Sequence, residues 1–339
     1  MVLETKRLFI KKATWADVDH YLQLWNNPDV MKMVGFPDGL KISGAEIRKQ
    51  IENHSDHELD QTLVVVEKAR RLRIGECKLG KPDADKTSFP DLKLLPEYWG
   101  KGYGKEIFNA LCQYLFSKTA TKIVQTSPNV KNIASEKLAK ASGGKKTGTG
   151  VYHFPVNKQS FTKDVQFNIY QIRKKDWLRK NLQIKELKDS ETKQKICSDV
   201  ILNLPQWFGI AAANKNYING VANTLFLTAY MYGEPVGFYS VISHFPETSE
   251  IYVCGILEEF QRLGIGKTMQ FQLEKILRKT KVKYLTVKTL SSKHPDKNYA
   301  GTRKFYQAQD FLPLEEFSDL WGVNNPCLFL VKSLEKFNN

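Results

Sequence analysis

Residues 93–105 read Lys-Leu-Leu-Pro-Glu-Tyr-Trp-Gly-Lys-Gly-Tyr-Gly-Lys, and residues 255–267 read Gly-Ile-Leu-Glu-Glu-Phe-Gln-Arg-Leu-Gly-Ile-Gly-Lys. Set side by side without gaps, the two stretches share their main apolar positions, a Glu, both final glycines and the closing Lys. Their offset is 162 residues (255 − 93) in a chain of 339. That period is the size of a domain and far exceeds the roughly 20–50 residues of a solenoid repeat. The chain therefore reads as two copies of one fold.

In the later copy an apolar run, 251–257, leads into Gln261-Arg-Leu-Gly-Ile-Gly266, and an amphipathic stretch follows at once. This is the order strand, loop, helix. Glycines let consecutive amides turn the same way, and a helix start adds partial positive charge, so together they make an anion cradle. Arg262 and Lys267 add to it. Gly266-Lys267-Thr268 matches the tail of a P-loop, but Gln261 stands where that motif needs its first glycine, and the spacing is not G-x-G-x-x-G. Taken alone, a plain glycine turn competes with the cradle.

Outward from the motif, the halves follow one plan. The pattern predicts a first strand (7–11; 182–187), a helical stretch (15–26; 192–202) and further strands (62–67 and 73–79; 223–230 and 235–242). The motif then opens a helix (104–117; 266–279), followed by a strand (122–125; 284–289), a short helix (134–141; 300–308) and closing strands. The implied class is α+β, each half a mixed, mostly antiparallel sheet flanked by helices. The alternating stretch 165–172 gives way to the basic run 173–180, which places the joint near 173–181 and the domains at 1–178 and 179–339.

Composition sets the remaining bounds. Hydrophobic residues at 42% and charged residues at 26% describe an ordinary globular chain and exclude a disordered or fibrous one. Fifty-one Lys+Arg against 36 Asp+Glu give +15, which favours an anionic ligand. Before residue 171 there are 27 basic and 19 acidic residues, and after it 24 and 17, so both halves are basic. No apolar run approaches the roughly 20 residues of a membrane helix. The start of the chain has no apolar core of a secretory signal, which points to the cytoplasm. Cys77, Cys112, Cys197, Cys254 and Cys327 are scattered, so neither disulfides nor a metal site is expected, and they read as buried or idle thiols.

Gln261-Arg-Leu-Gly-Ile-Gly266 resembles the acetyl-CoA pyrophosphate loop of GCN5-related N-acetyltransferases, whose pattern is Q/R-x-x-G-x-G/A. Asn298-Tyr-Ala-Gly-Thr-Arg-Lys-Phe-Tyr306, followed by Asp310-Phe311, is similar to a later segment of that family in which an Asn and a Phe-Tyr pair line the CoA side. Asp310 replaces the usual Gly. The first half resembles the branch similar to ribosomal-protein acetyltransferases through Glu4-Thr-Lys-Arg-Leu8, Asn26-Asn27-Pro28, Pro96-Glu-Tyr-Trp-Gly-Lys-Gly-Tyr-Gly104 and Asn132-Ile-Ala-Ser135. Trp99 stands where Gln or Arg is usual.

The resemblance implies an N-acetyltransferase with acetyl-CoA as co-substrate and no metal, acting on a primary amine of a small molecule or of a peptide or protein N-terminus. It implies CoA contacts from Ile256, Leu257, Gln261, Arg262, Leu263, Gly264, Ile265, Gly266, Lys267 and Asn298, and in the first half from Gly102, Gly104, Lys105 and Asn132. Glu250 would take the amine proton through water, and Tyr306 would donate to the departing thiolate, its phenol neutral with an ordinary pKa of about 10. Trp207, Phe208 and Tyr217 would roof the acceptor from a helix-to-strand loop region. Each has a plainer reading: a solvated Glu at a strand edge, a Tyr half in the core, aromatics in core packing.

The first half departs from this set. The repeat offset from Glu250 reaches Ser88, and matching Asp310-Phe311 to Gly143-Gly144 sets Ala139 opposite Tyr306. Asp91 is the nearest carboxylate. That half either binds CoA or only shapes the substrate groove. The stretch 319–327 is similar to a tail segment of some bacterial members, and His294 reads as a solvated loop residue.

The rival reading is a non-catalytic CoA-binding or nucleic-acid-associated module. Its support is the basic runs Arg70-Arg71-Leu72-Arg73, Lys145-Lys146, Arg173-Lys174-Lys175 and 279–283. No RRM, KH or helix-turn-helix signature accompanies them, so solvated faces are the better account and nucleic acid is not the expected partner. The sequence leaves open the amine, the activity of the first half and the oligomeric state.

Overall fold

In the computed structural model, which describes residues 2–53, 58–156, 160–322 and 324–335, the chain divides into two units, Met1–Lys180 and Asn181–Asn339. Unit 1 runs β1 (Leu3–Glu4), β2 (Leu8–Lys12), α1 (Val18–Trp25), α2 (Pro28–Met31), α3 (Gly44–Glu52), β3 (Leu63–Glu67), β4 (Arg73–Lys78), β5 (Thr87–Ser88), β6 (Asp91–Leu94), α4 (Tyr103–Lys118), β7 (Ile123–Thr126), α5 (Ile133–Ala141), β8 (Lys145–Tyr152), β9 (Val165–Arg173) and α6 (Lys174–Asn181). Unit 2 follows with β10 (Leu182–Leu187), α7 (Ser190–Leu202), α8 (Ala211–Gly220), β11 (Leu225–Met231), β12 (Glu234–Phe245), β13 (Thr248–Ile256), α9 (Ile265–Lys279), β14 (Tyr284–Leu290), α10 (Lys297–Gln307), β15 (Leu312–Phe317) and β16 (Cys327–Ser333). Among the described residues no helix is long and apolar enough to cross a membrane. Val323, within the tail segment 319–327, lies outside the described residues.

Local sequence explains the elements. β3 is Leu-Val-Val-Val-Glu with all five residues buried, as a β-branched strand covered on both faces requires. Four of the longer helices start on a side-chain cap: Ser43 and Glu46 form a capping box on α3, Asn132 caps α5, Asp189 caps α7 and Asp296 caps α10. α4 and α9 differ. Their N-caps are Gly102 and Gly264, with no side chain bonded to the first turn.

Unit 2 holds one seven-stranded sheet in the order β10-β11-β12-β13-β14-β16-β15, antiparallel except for the β13–β14 pair. Those two strands stay together only over Thr248–Ile251 and Tyr284–Val287, after which they part. In unit 1 the same parting goes further. Its strands form two sheets, β1-β2-β3-β4-β6 and β5-β7-β9-β8, so the counterpart of β13 is broken into β5 and β6. Phe89-Pro90 lies at the break, and a proline offers no N–H to a central ladder.

Register establishes the repeat independently of sequence matching. Gly75 faces Leu94 as Gly237 faces Ile256, and Ser88 faces Val124 as Glu250 faces Thr286. Every member of these pairs is displaced by the same 162 positions as the glycine motifs in the sequence. Gly75 and Gly237 are glycines for one reason: a Cβ would stand 2.2 Å from the Lys93 carbonyl oxygen in unit 1 and 2.7 Å from that of Gly255 in unit 2.

Three local expectations change. The basic run at the joint is helical, anchored by Trp177, whose fully buried ring lies 5.4 Å from that of Phe116. The region expected as a loop around Tyr217 is the helix α8, which opens on three alanines, the strongest helix formers. α10 starts at Lys297, ahead of position 300, because the Asp296 carboxylate accepts from the amides of Asn298 and Tyr299 at 2.7 and 3.2 Å.

Candidate active site

The site of unit 2 begins with the parting of two strands. Among the described residues, the edge of β13 facing β14 has no strand partner beyond Ile251. On its other edge, Val253 pairs with Ser240 and Ile251 with Val241, which leaves Tyr252 as an extra residue, a β-bulge. The bulge turns two successive side chains, Tyr252 and Val253, onto the same core cluster beneath α7. Cys254 therefore takes the opposite face. A wedge with free backbone donors and acceptors along one wall results, which suits an extended amide-bearing ligand.

At the mouth of the wedge stands the glycine loop. Arg262 and Gly264 have φ of 59° and 96°, and the first bond of α9 is donated by the Thr268 amide to the Gly264 carbonyl at 3.1 Å. The amides of Ile265, Gly266 and Lys267 precede that bond and have no side-chain cap, so they are available to an anion. Lys267 is exposed beside them. The other members of the loop act on structure. Leu263 and Ile265 are buried. Gly266 lets α9 lie close to α10 and β13, since a Cβ there would meet the Phe305 ring at 3.0 Å and the Ile256 side chain at 3.3 Å. The Gln261 amide donates to the Ile256 carbonyl at 2.9 Å and closes the loop, and Leu257 donates its N–H to the Val236 carbonyl. Asn298 is exposed at the second position of α10.

Glu250 is not a solvated edge residue. It is 7% exposed, and its Oε2 accepts from Lys288 Nζ at 2.7 Å while standing 2.8 Å from His244 Nε2. Tyr217 lies close enough for the Glu250 charge to act on its phenol. Its ring packs edge-on against Phe208 and Tyr252, with centroids 6.1 and 5.5 Å apart. Tyr299 donates its hydroxyl to the Trp207 carbonyl at 2.7 Å. Trp207, Phe208 and Tyr217 are half-buried on the α7 core, so they are core packing on one side and a wall on the other.

On the opposite face Tyr306 is 4% exposed, and its hydroxyl lies 3.3 Å from Cys254 Sγ. Burial, with Cys254 and Tyr239 adding to it, pushes the phenol well above its ordinary value of 10. Cys254 is the only cysteine among the five that is not fully buried, and it is not idle: it touches Tyr306. Burial raises its thiol to about 11. Among the described residues no group of three or more His, Cys, Asp or Glu is placed to hold a metal.

Comparison with known proteins decides the family. A model described as an acetyltransferase (GNAT) domain matches residues 7–145, and one of the acetyltransferase (GNAT) family matches residues 189–311. The chain belongs to the GNAT acetyltransferases, once in each unit. An uncharacterized N-acetyltransferase, p20 of Bacillus licheniformis, is 25% identical over 149 residues, 43% of this chain and 83% of that protein. An acetyltransferase (GNAT family) structure from Bacillus anthracis is 18% identical with a TM-score of 0.42, covering 50% of this chain and 97% of its own. A spermidine N-acetyltransferase from Vibrio cholerae, solved with CoA and spermine, is 20% identical with a TM-score of 0.43, covering 51% and 99%.

The GNAT units make this an N-acetyltransferase with acetyl-CoA as co-substrate and an amine as acceptor. The unit 2 residues fit that co-substrate: uncapped amides and Lys267 for the pyrophosphate, and the free edge of β13 for the amide-bearing arm. The GNAT cradle of unit 1 fits as well. Gly102 has a φ of 81°, and the first α4 bond runs from the Glu106 amide to the Gly102 carbonyl at 3.2 Å, leaving the amides of Tyr103, Gly104 and Lys105 ahead of it. Trp99 Nε1 donates to the Leu94 carbonyl at 2.8 Å, the bond that Gln261 makes in unit 2, which explains how an indole replaces an amide. Asn132 spends its carbonyl oxygen on the Ser135 amide at 3.0 Å, as a helix cap.

Sequence reading missed several residues of this site. Arg7 reaches the unit 1 cradle, donating to the Lys101 carbonyl at 3.1 Å with its guanidinium 4.3 Å from the centre of the Tyr103 ring. His244, Lys288, Tyr252 and Tyr299 complete the unit 2 site. They meet Glu250 and the aromatic wall only through strand pairing and packing, so no spacing in the chain announces them.

Proposed function

We propose that unit 2 is the catalytic domain, transferring acetyl from acetyl-CoA to a primary amine of a small molecule or a peptide N-terminus, and that unit 1 is a catalytically degenerate copy retaining its CoA cradle. One asymmetry supports this. Glu250, the bulge at Tyr252 and the Tyr306 hydroxyl surround the β13 wedge of unit 2, whereas the corresponding positions of unit 1 are Ser88, Pro90 and Ala139. The last match rests on a shared helix end: the Phe311 amide donates to the Tyr306 carbonyl at 3.1 Å, and the Gly144 amide to that of Ala139 at 2.9 Å. Ser88 is engaged by the Thr121 hydroxyl at 2.8 Å, and Asp91 pairs with Lys93.

Acetyl-CoA, when bound, supplies an activated thioester. The amides at the start of α9 hold its pyrophosphate, and the unpaired backbone at the Tyr252 bulge offers a donor where negative charge develops on the carbonyl oxygen. In unit 1 that position is Pro90, which has no N–H. Phe208, Tyr217 and Tyr252 exclude water around the acceptor and present ring faces to an ammonium group. Glu250 takes the amine proton, directly or through one water, and His244, whose side chain is 42% exposed, links it to solvent. Tyr306 donates a hydrogen bond to the sulfur on the other face.

The test is release of the CoA thiol by the full chain across a panel of small amines and N-terminal peptides. Wild-type turnover with at least one amine, abolished by Gly264→Asp and retained in Gly102→Asp, supports the assignment. Turnover that survives Gly264→Asp and vanishes in Gly102→Asp overturns it.

A further inference from the structure

Two basic runs that acetyl transfer leaves unused, Lys145-Lys146 and Arg173-Lys174-Lys175, meet in unit 1. Lys145 opens β8 opposite Gln171 of β9, Arg173 ends β9, and α6 starts at the next residue. A cavity of about 350 Å³ lies there, lined by Lys145, Arg173, Lys175, Asp176 and Arg179. Arg179 lies 3.3 Å from the Asp176 carboxylate. Among the described residues Lys145, Arg173 and Lys175 have no ion-pair partner.

Four cations against one carboxylate is an unneutralised cluster in a concave surface, a focus for anions. The geometry narrows the anion. Among the described residues no aromatic or aliphatic residue lines the cavity, so it has no side chain dedicated to a nucleobase or an acyl chain. What it offers is charge and N–H donors, and guanidinium forks match phosphate oxygens in pairs. Its volume falls in the range of small-molecule sites. It is also distant from the CoA cradle of the same unit. α4 begins at that cradle and runs 16 residues, about 24 Å, to Lys118. Lys174, between two residues of the cavity, donates to the Phe116 carbonyl at the far end of α4, at 2.7 Å.

We propose that this cavity binds a compact polyphosphate, either inorganic or the phosphate tail of a nucleotide, at a site separate from both CoA cradles. Lys145, Arg173, Lys175 and Arg179 contact the phosphates. Lys146, the next residue on the strand, does not line the cavity and serves as an internal control.

Calorimetric titration of the full chain, saturated with CoA so that both cradles are filled, tests this with inorganic pyrophosphate, inorganic triphosphate and ATP. Pyrophosphate binds the wild-type protein and the Lys146→Glu variant alike, and binding weakens by about tenfold or more in Lys145→Glu/Arg173→Glu. All of these side chains are exposed, and unchanged CoA affinity and melting temperature confirm that the double variant folds. Equal affinity for triphosphate and ATP shows recognition of phosphate alone. Absence of binding to the CoA-saturated protein, or binding that ignores the double variant, overturns the proposal. So does tighter binding of a single-stranded RNA at equal phosphate concentration with a salt slope of several units, which would make the face a nucleic-acid surface.

Discussion

Replacing Tyr306 with Phe separates two ways in which a phenol can help a thiolate leave. A CoA thiol resembles a free cysteine thiol, with a pKa of about 8.5. The Tyr306 phenol is pushed well above 10 by burial, so complete proton transfer to the thiolate runs uphill. The favourable interaction is a hydrogen bond from a neutral donor to a developing anion, worth about 1.5–3 kcal/mol. At 1.36 kcal/mol per factor of ten, loss of the hydroxyl lowers kcat by about 10- to 150-fold. The fold is little affected, because among the described residues the hydroxyl's only hydrogen-bond partner is the weakly bonding Cys254 thiol at 3.3 Å. Steady-state CoA release at saturating acetyl-CoA, from pH 6 to 9, checks this. The expected result is a parallel downward displacement of the kcat profile with little change in the KM for acetyl-CoA. An unchanged kcat in Tyr306→Phe refutes the role, and a loss that appears only in KM refutes the reasoning from the thiolate.

Glu250→Gln leaves the Lys288 ammonium and His244 beside a neutral amide and removes the proton acceptor; kcat with a good amine should fall about 100-fold, and a fall below threefold sinks the assignment. Wild-type protein should bind two CoA molecules per chain and Gly102→Asp one, because an acid at a φ of 81° both strains the loop and repels the pyrophosphate; calorimetric stoichiometry decides, and two sites in the variant would contradict the unit 1 cradle. Trp99→Leu strands the Leu94 carbonyl and should cost unit 1 about 1 kcal/mol, a few degrees in melting temperature, whereas Trp99→Gln restores the bond in the manner of Gln261; a glutamine variant no better than leucine denies the equivalence. His20, 7% exposed with Nε2 3.1 Å from the Gly75 carbonyl oxygen, is held below its ordinary 6.5 by burial. Its folded pKa lies below its unfolded pKa, so it stabilises unit 1 above pH 6.5 and that contribution is lost as pH falls, at no more than about 1.4 kcal/mol per unit. Between pH 6.5 and 5 the melting temperature of His20→Gln should fall less steeply than that of wild type, and equal slopes would dismiss the histidine.

The parts of this fold that could be read from sequence are those encoded locally. The glycine loops carry their own backbone requirement, and the helices after them their own periodicity, so both were visible, as were the offset that led from Glu250 to Ser88 and the match of Asp310-Phe311 to Gly143-Gly144 that set Ala139 opposite Tyr306. The parts that could not be read are made by register. Glu250 reaches Lys288 because β13 and β14 run parallel with Glu250 facing Thr286, and it reaches His244 because β12 and β13 form a hairpin; neither pairing leaves a trace in residue spacing. Gln261 and Trp99 show the converse. Both fall within a recognised motif, and Gln261 reads as a ligand contact, yet each spends its side-chain N–H on a carbonyl five positions earlier in the chain, holding the glycine loop in shape.

The two units also differ on the face beside the interrupted strand of unit 1. Register places Glu76 and Lys93 of unit 1 where unit 2 has Phe238 and Gly255. In unit 2 the missing Cβ of Gly255 lets Val200 of α7 and Leu204 just beyond it approach, each within 3.1 Å of where it would stand. In unit 1 the same place is taken by an ion pair, Lys93 Nζ to Glu76 Oε1 at 3.0 Å, with Glu76 only 2% exposed. A buried pair is costly to break and adds little net stability against an apolar equivalent, so its presence beside a proline-interrupted strand is not explained by packing alone. In unit 2 that face is covered by Val200, Leu204 and Phe208, whereas in unit 1 it carries the charged pair. The glycine cradle, 16-residue helix included, depends on backbone shape and not on that face, which is why it persists in both units.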